Sequence, residues 1–431
     1  MVQTLDTRAA DFAARFDALL GMKRESSADV NDAVAAIIAD VRARGDEALI
    51  DFTLKFDHLD LREAGIAVSE ADIAAARAAV DDETVEALKI AHARILDHHS
   101  RQVPASESYI DASGVELGQR WTAVASAGLY VPGGTASYPS SVLMNAVPAK
   151  VAGVARLVMV VPSPRGELNP LVLVAADLAG VDEIYRVGGA QAIAALAFGT
   201  ETIRPVSTIV GPANAYVAAA KRQVFGQVGI DMVAGPSEVV VIADRENDPA
   251  WIASDLLAQA EHDTAAQSIL ITDDEASPAR SPTRWRRSSG RFRAPTPRAQ
   301  LGGLRRGDPG RSLDEAPALS DRLAPEHLEI ATENADALAA KVRDAGAIFI
   351  GRYTPEVIGD YVAGTNHVLP TARSARYASG LGVSDFMKRT SLLKLDAESL
   401  KTLGPAAMTL ARAEGLDAHR RSVGIRLNLP D

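Results

Sequence analysis

Apolar residues recur along the first hundred positions at the three-and-four spacing of a helix. Val30, Val34, Ile37, Ile38 and Val41 share one face, and Gly45 ends the run. Residues 81–101 have the same texture, so the chain up to about 110 is predicted to be mostly helical. From about Trp121 the period changes, and short apolar runs alternate with alanine-rich helical stretches. The pattern predicts strands at 157–161, 183–187 and 208–210, with helices at 171–179, 191–198 and 214–225. A second series predicts strands at 239–243, 267–272 and 347–350, with helices at 249–261 and 335–344. Such alternation builds parallel sheets, because each crossover helix returns the chain to the same end of the sheet. The predicted class is therefore α/β with two tandem parallel-sheet units, followed by a helical tail over 392–416.

One stretch breaks the alternation. Ser277–Ser312 holds ten Arg, five Pro, five Gly and five Ser, with one acid, Asp308, and only Leu301 and Leu304 as larger aliphatics. After the strand ending at Thr272 the alternation requires a helix and a strand, and this segment has apolar positions for neither. Two readings stand. It is a basic disordered insert, since such a composition cannot bury a core, or it is an out-of-frame stretch of a GC-rich gene, with the frame restored near Leu313. In the second case a buried strand has been lost.

Composition narrows the possibilities. A chain of 431 residues exceeds one ordinary core and implies more than one domain. A net charge of −11 argues against non-specific nucleic-acid binding, which needs a basic surface. The apolar stretch Val147–Val161 is broken by Lys150 and Arg156, so no membrane span is expected. Residues Met1–Arg15 carry acids and no apolar signal region, so a cytoplasmic location is expected. The chain has no cysteine. Disulfides, thiolate zinc sites and iron–sulfur clusters are excluded, and so is aldehyde oxidation through a cysteine thiohemiacetal.

No GxGxxG follows a strand and no GxxxxGK[ST] occurs. Glycine pairs do mark the turns: Gly133-Gly134, Gly188-Gly189 just before Gln191, and Gly211-Pro212 just before Asn214. Helix starts after such turns bind phosphates or polar ligands, although glycine there is also what a tight turn needs. Of eight histidines, His92, His98 and His99 fall on a polar helical stretch and are expected to be solvated, and His58 falls in a loop. His262, His327, His367 and His419 remain. Gln259 and His262 share a helix face at i, i+3. A set of Gln259, His262, Asp360 and His419, with no thiolate, suits zinc or a similar divalent ion, but spacing alone does not assemble it. Glu326-His327 follows Pro325. It is either an acid–base pair, in which histidine removes an alcohol proton and glutamate activates water, or a solvated turn.

Longer motifs carry a resemblance. Gly128-Leu-Tyr130-Val-Pro-Gly-Gly134, continuing to Lys150, is similar to the histidinol dehydrogenase family. So are Val210-Gly-Pro-Ala-Asn214, Asp231-Met-Val-Ala-Gly-Pro-Ser237-Glu and Gln259-Ala-Glu-His262. Ala324-Pro-Glu326-His327-Leu-Glu, Gly364-Thr-Asn-His367 and Glu414-Gly-Leu-Asp-Ala-His419 extend the match over nearly the whole chain. Val233 stands where the family pattern has proline, and 277–312 matches nothing in it.

The resemblance implies two incomplete Rossmann-like parallel-sheet units, a helical N-terminal segment and a C-terminal tail, in an intertwined homodimer. The implied boundaries are 1–24 for the N-terminal helical segment, 25–110 with 236–372 for one α/β domain, 111–235 for the NAD-binding domain, and 373–431 for a tail exchanged in the dimer. Tyr130, Gln191 and Asn214 would contact NAD. Gln259, His262, Asp360 and His419 would bind one zinc per subunit. Ser237, Gln259, His262, His327, Asp360, Glu414 and His419 would surround L-histidinol, with Glu326 and His327 as the acid–base residues. Three other readings stay open on the residues alone: a related amino-alcohol dehydrogenase, a zinc hydrolase, and an inactive binding protein. Resequencing the gene across 277–312 is expected to show two compensating indels; an unaltered sequence there eliminates the frameshift reading.

Overall fold

The computed structural model describes residues 3–7, 9–21, 28–132, 138–212, 214–233, 235–261, 266–273, 302–305 and 313–430. The chain opens with a strand, β1 (Gln3–Asp6), and a helix, α1 (Phe12–Leu20). Helices α2 (Ala28–Arg44), α3 (Asp46–Asp57), α4 (Leu61–Ala64), α5 (Glu70–Ala79) and α6 (Asp82–Ser100) follow. Their starts are set by short polar caps. Ser69 and Asp72 form a capping box on α5, and the Asp81 carboxylate accepts the Thr84 N–H at 2.8 Å on α6.

Strands β2 (Glu107–Ile110) and β3 (Glu116–Ala123) precede the first parallel unit. That unit runs β4 (Ser126–Tyr130), α7 (Pro139–Ala152), β5 (Arg156–Val160), α8 (Pro170–Leu178), β6 (Glu183–Tyr185), α9 (Gly189–Phe198), β7 (Thr208–Val210), α10 (Ala215–Val224) and β8 (Gly229–Ile230). All five strands are parallel, in the order β6-β5-β4-β7-β8. The strands read as continuous apolar runs because both faces are covered. Leu129, Leu157 and Met159 face α5, α6, α7 and α8, whereas Tyr130, Val158 and Val160 face α2, α3, α9 and α10. The helices of 25–110 thus build the two cores of this sheet, so the expected grouping of 25–110 with 236–372 is corrected. Their apolar faces match the sheet beside them in the chain.

The second unit runs β9 (Glu238–Ala243), α11 (Pro249–Ala260), β10 (Gln267–Thr272), β11 (Gly302–Arg305), α12 (Ala316–Leu323), β12 (His327–Ala331), α13 (Ala335–Ala339), β13 (Ala347–Ile350) and α14 (Glu356–Tyr361). Its sheet is parallel throughout, in the order β1-β11-β10-β9-β12-β13. Val240, Ile242, Ile269, Ile271, Leu328 and Ile330 pack with α1, α12 and α13; Val239, Val241 and Leu270 pack with α11. Leaving β1 aside, both sheets follow the same order of third, second, first, fourth and fifth strand, the arrangement of mononucleotide-binding halves. Two expectations are corrected here. The N-terminal segment is not purely helical, since Gln3–Asp6 adds an edge strand before α1. A strand does run within 277–312: Gly302–Arg305 pairs with β10 and β1. Two glycines and an arginine hid it, because backbone pairing needs no apolar side chain. The rest of 277–312 lies outside the described residues.

Beyond 372 the chain forms β14 (Met387–Lys394), which pairs antiparallel with β3, itself paired with β2. Helices α15 (Ala397–Ala413) and α16 (Asp417–Gly424) follow. The helix expected from 392 therefore begins later, because 387–394 is held in a sheet. This appendage leaves large apolar side chains uncovered, among them Tyr109, Ile110, Leu393, Leu410 and Ile425. Among the described residues no helix is long and apolar enough to cross a membrane.

Leu129 is fully buried at the centre of the first sheet. Leu129→Ala is expected to cost about 3 kcal/mol through lost burial and a residual cavity, read as a lowered midpoint in urea unfolding.

Candidate active site

The carboxyl ends of β4 and β7 form the first site. These strands are neighbours whose connections leave in opposite directions, which opens a crevice at the strand ends. Tyr130 closes β4. Its buried hydroxyl accepts the Gly189 N–H at 3.2 Å, and burial pushes the phenol up to about 12. Gln191 is buried in the first turn of α9 and folds back on Gly189: a Cβ added there would lie 2.7 Å from its Oε1. Asn214 caps α10, its Oδ1 accepting the Val217 N–H at 3.0 Å. Gly211 precedes it at φ 125°, where a Cβ would lie 2.2 Å from the Tyr130 carbonyl oxygen. No side chain fits that approach. Tyr130, Gly189 and Gln191 therefore meet directly, while Asn214 is tied to Tyr130 through Gly211. The starts of α9 and α10 present the positive ends of helix dipoles here.

The second site lies at the amino ends of β9 and β12. His327 sits opposite Val239 in the register and is buried. Its Nδ1 lies 3.2 Å from the Glu238 carbonyl oxygen, which only accepts, so Nδ1 carries a proton and donates there. Nε2 stands 3.9 Å from Asp360 Oδ1, and Nδ1 stands 3.8 Å from both Glu326 Oε2 and Glu356 Oε1. Glu326 accepts the Glu238 N–H at 3.0 Å and a hydrogen bond from Ser237. Burial holds its carboxyl well above the usual range, and the charges of Glu238 and Asp360 push it further.

Beneath these groups lies a further set of acids. The Glu356 N–H donates to Glu329 Oε1 at 2.6 Å, and Glu329 hydrogen-bonds to Asp255. A bond between two carboxyl groups requires a shared proton. Burial raises Glu329 to about 8 and Asp255 to about 6. Glu356 is buried, and neither of its carboxyl oxygens has a hydrogen-bond partner among the described residues. Burial, then the neighbouring Asp360 and Glu329 charges, hold it well above the usual range. Sequence reading missed Asp255, Glu329 and Glu356. Each does have a signal: Asp255 and Glu356 lie one helical turn before Gln259 and Asp360, and Glu329 shares the strand face of His327.

Gln259 sits at the end of α11, buried, with neither amide atom partnered among the described residues. Asp360 occupies the last turn of α14. Both positions are negative helix ends, which favour a cation. His367 was left without a role in the sequence. It is half-buried, its Nδ1 donates to the Asp360 carbonyl oxygen at 2.9 Å, and Ser141 Oγ donates to its Nε2 at 3.2 Å. Burial holds its pKa down. His99, expected at the surface, is fully buried, with Nδ1 on the Ile95 carbonyl oxygen at 2.8 Å.

The fold thus brings Ser237, Glu326, His327 and Asp360 together. Glu414 and His419 lie exposed on the C-terminal tail. His262 lies outside the described residues. Among the described residues no three His, Cys, Asp or Glu side chains are grouped closely enough to hold a metal.

Residues 21–427 match the family model for histidinol dehydrogenase. The chain is 63% identical over 430 residues to histidinol dehydrogenase of Brucella suis biovar 1 (strain 1330), covering 100% of both. It is 62% identical over 430 residues to that of Rhodospirillum rubrum, covering 98% of both. The crystal structure of histidinol dehydrogenase from Elizabethkingia anophelis superposes with a TM-score of 0.91 at 35% identity, over 99% of this chain and 98% of that one.

The acid cluster makes a prediction about pH. In the folded chain Asp255 and Glu329 hold protons up to about 6 and about 8, against 3.8 and 4.5 as ordinary values. Folding then takes up protons between these limits, so the metal-free protein loses stability as pH rises from about 4 to about 8. Unfolding midpoints measured across that range are expected to fall less steeply in Glu329→Gln than in the parent chain.

Proposed function

The chain belongs to the histidinol dehydrogenase family, and on that premise we propose that it oxidises L-histidinol to L-histidine through histidinal, using two molecules of NAD and one zinc ion per subunit. The observation that carries the reading is the placement of His327: a buried imidazole, its Nδ1 donating to a carbonyl, its Nε2 turned towards Asp360.

Tyr130, Gln191 and Asn214 line the crevice taken here as the nucleotide site, and each NAD accepts one hydride. Gln259, His262, Asp360 and the partner's His419 would hold zinc, which supplies charge and orientation for the imidazole and amine of histidinol and has no redox chemistry of its own. The residues present fit a divalent cation: several buried acids, two helix carboxyl ends and an unpartnered Gln259 amide converge on one region.

His327 Nε2 takes the hydroxyl proton as hydride leaves the carbinol carbon, giving the aldehyde. Burial holds the Glu326 carboxyl well above its ordinary range and so favours its protonated form. In that form it would donate a proton to the aldehyde oxygen and take one from the attacking water, so the hydrate forms with no net change at the carboxyl. His327, having released its first proton to solvent, then accepts one from the hydrate as the second hydride leaves, giving the carboxylic acid, which ionises to the carboxylate. The chain has no cysteine for a covalent thiol route, which supports the hydrate. Ser237 holds Glu326, and Ser237, Gln259, His262, Asp360, Glu414 and His419 complete the substrate shell.

The tail supports an exchanged homodimer. It places Glu414 and His419 on an exposed surface, beside apolar side chains that a second subunit would cover. We place the enzyme in the cytoplasm, with no membrane or nucleic-acid partner.

The test is NADH formation from L-histidinol by zinc-loaded protein; its absence would overturn the reading. His327→Asn is expected to lower turnover by roughly 10²–10⁴ while leaving zinc content unchanged. His262→Asn is expected to lose stoichiometric zinc, measured by elemental analysis after dialysis.

A further inference from the structure

One charged pair lies wholly inside the first unit and has no part in the chemistry above. Lys221, on α10, and Asp231, just after β8, have side chains 0% and 1% exposed and form an ion pair. Both also hold one residue. Asp231 Oδ2 accepts the Gly211 N–H at 2.8 Å, and Lys221 Nζ donates to the Gly211 carbonyl oxygen at 3.0 Å. Asp231 Oδ1 further accepts the Met232 N–H at 2.6 Å. The two backbone groups of Gly211 are thus closed into a ring by two opposite charges.

Gly211 is where the shape of the nucleotide turn is decided. It has a positive φ, presses on the Tyr130 carbonyl oxygen, and leads through Pro212 to Asn214. A backbone in that conformation is held only by its surroundings. Burying two ions in an apolar core is unfavourable unless the geometry and the hydrogen bonds are good. Here each ion has a partner ion and at least one backbone group.

We propose that Lys221 and Asp231 are positioning residues for the nucleotide: they touch no substrate, and they clamp Gly211 so that Tyr130 and Asn214 present one fixed surface to NAD. This rests on the reading that NAD binds at the carboxyl ends of β4 and β7. Asp231 also begins the segment that reaches Ser237 and Glu238, so the clamp anchors that segment beside the nucleotide turn.

The experiment measures NAD and histidinol binding by calorimetry on zinc-loaded protein, with unfolding midpoints recorded in parallel. Asp231→Asn is expected to weaken NAD binding by about tenfold or more, the worth of a charged buried hydrogen bond, while histidinol binding stays within about twofold. Lys221→Met/Asp231→Asn leaves no lone buried charge and keeps an acceptor for the Gly211 N–H. It is the variant measured should the single one fail to fold, and it is expected to show the same selective loss. Unchanged NAD binding in a folded variant overturns the proposal. So does an equal loss of both ligands with a lowered midpoint, which is a merely structural effect. Asn214→Ala separates the underlying reading: if it leaves NAD binding intact, the nucleotide site itself is misplaced and the clamp falls with it. If Asn214→Ala weakens NAD and the clamp variants do not, only the clamp fails.

Discussion

A buried carboxyl group is stable only with a proton, a donor or a cation beside it. The second unit gathers Glu326, Glu329, Glu356, Asp255 and Asp360 around His327. Among the described residues no lysine or arginine forms an ion pair with Glu326, Glu329 or Glu356. The site therefore meets its charge in two ways. Asp255 and Glu329 share a proton, and burial holds the Glu326 carboxyl well above its ordinary range. Asp360 and Gln259 lie at two negative helix ends. The raised carboxyl pKa values and the dependence of stability on pH both derive from this one concentration of acid.

The two units share a strand order and use opposite edges. In the first, the candidate nucleotide residues lie at the carboxyl ends of the strands, where helix starts converge. In the second, Glu238 and His327 lie at the amino ends of β9 and β12, where helix ends converge. Helix starts make one edge electropositive and helix ends make the other electronegative. Residues 231–238 connect the two sheets, so the two candidate sites belong to separate sheets tied by a short stretch of chain.

Within the region 277–312 the described residues are Gly302–Arg305. Its single described strand, Gly302–Arg305, lies between β10 and β1, on the far side of the sheet from β12. β9 and β12, which carry Glu238 and His327, pair directly with each other.

Periodicity by itself determined the α/β class, most helices and the tandem units, because burial on one face or two imposes a local repeat. It also marked the glycine turns, which need a positive φ or a close approach. The residue types of Glu326, His327, Gln259 and Asp360 were legible as chemistry. Their mutual placement was not, since they lie on α11, at the start of β12 and on α14, and contact follows from strand order. Asp255, Glu329, Glu356 and His367 look like ordinary polar residues in the sequence, and only packing brings them beside the candidate site. Likewise only packing decided that the helices of 25–110 cover the first sheet, and only register revealed β11, whose pairing is carried by backbone groups that every residue has. The chain writes down its local periods; which charges end up sharing one dry pocket depends on distances that no local pattern contains.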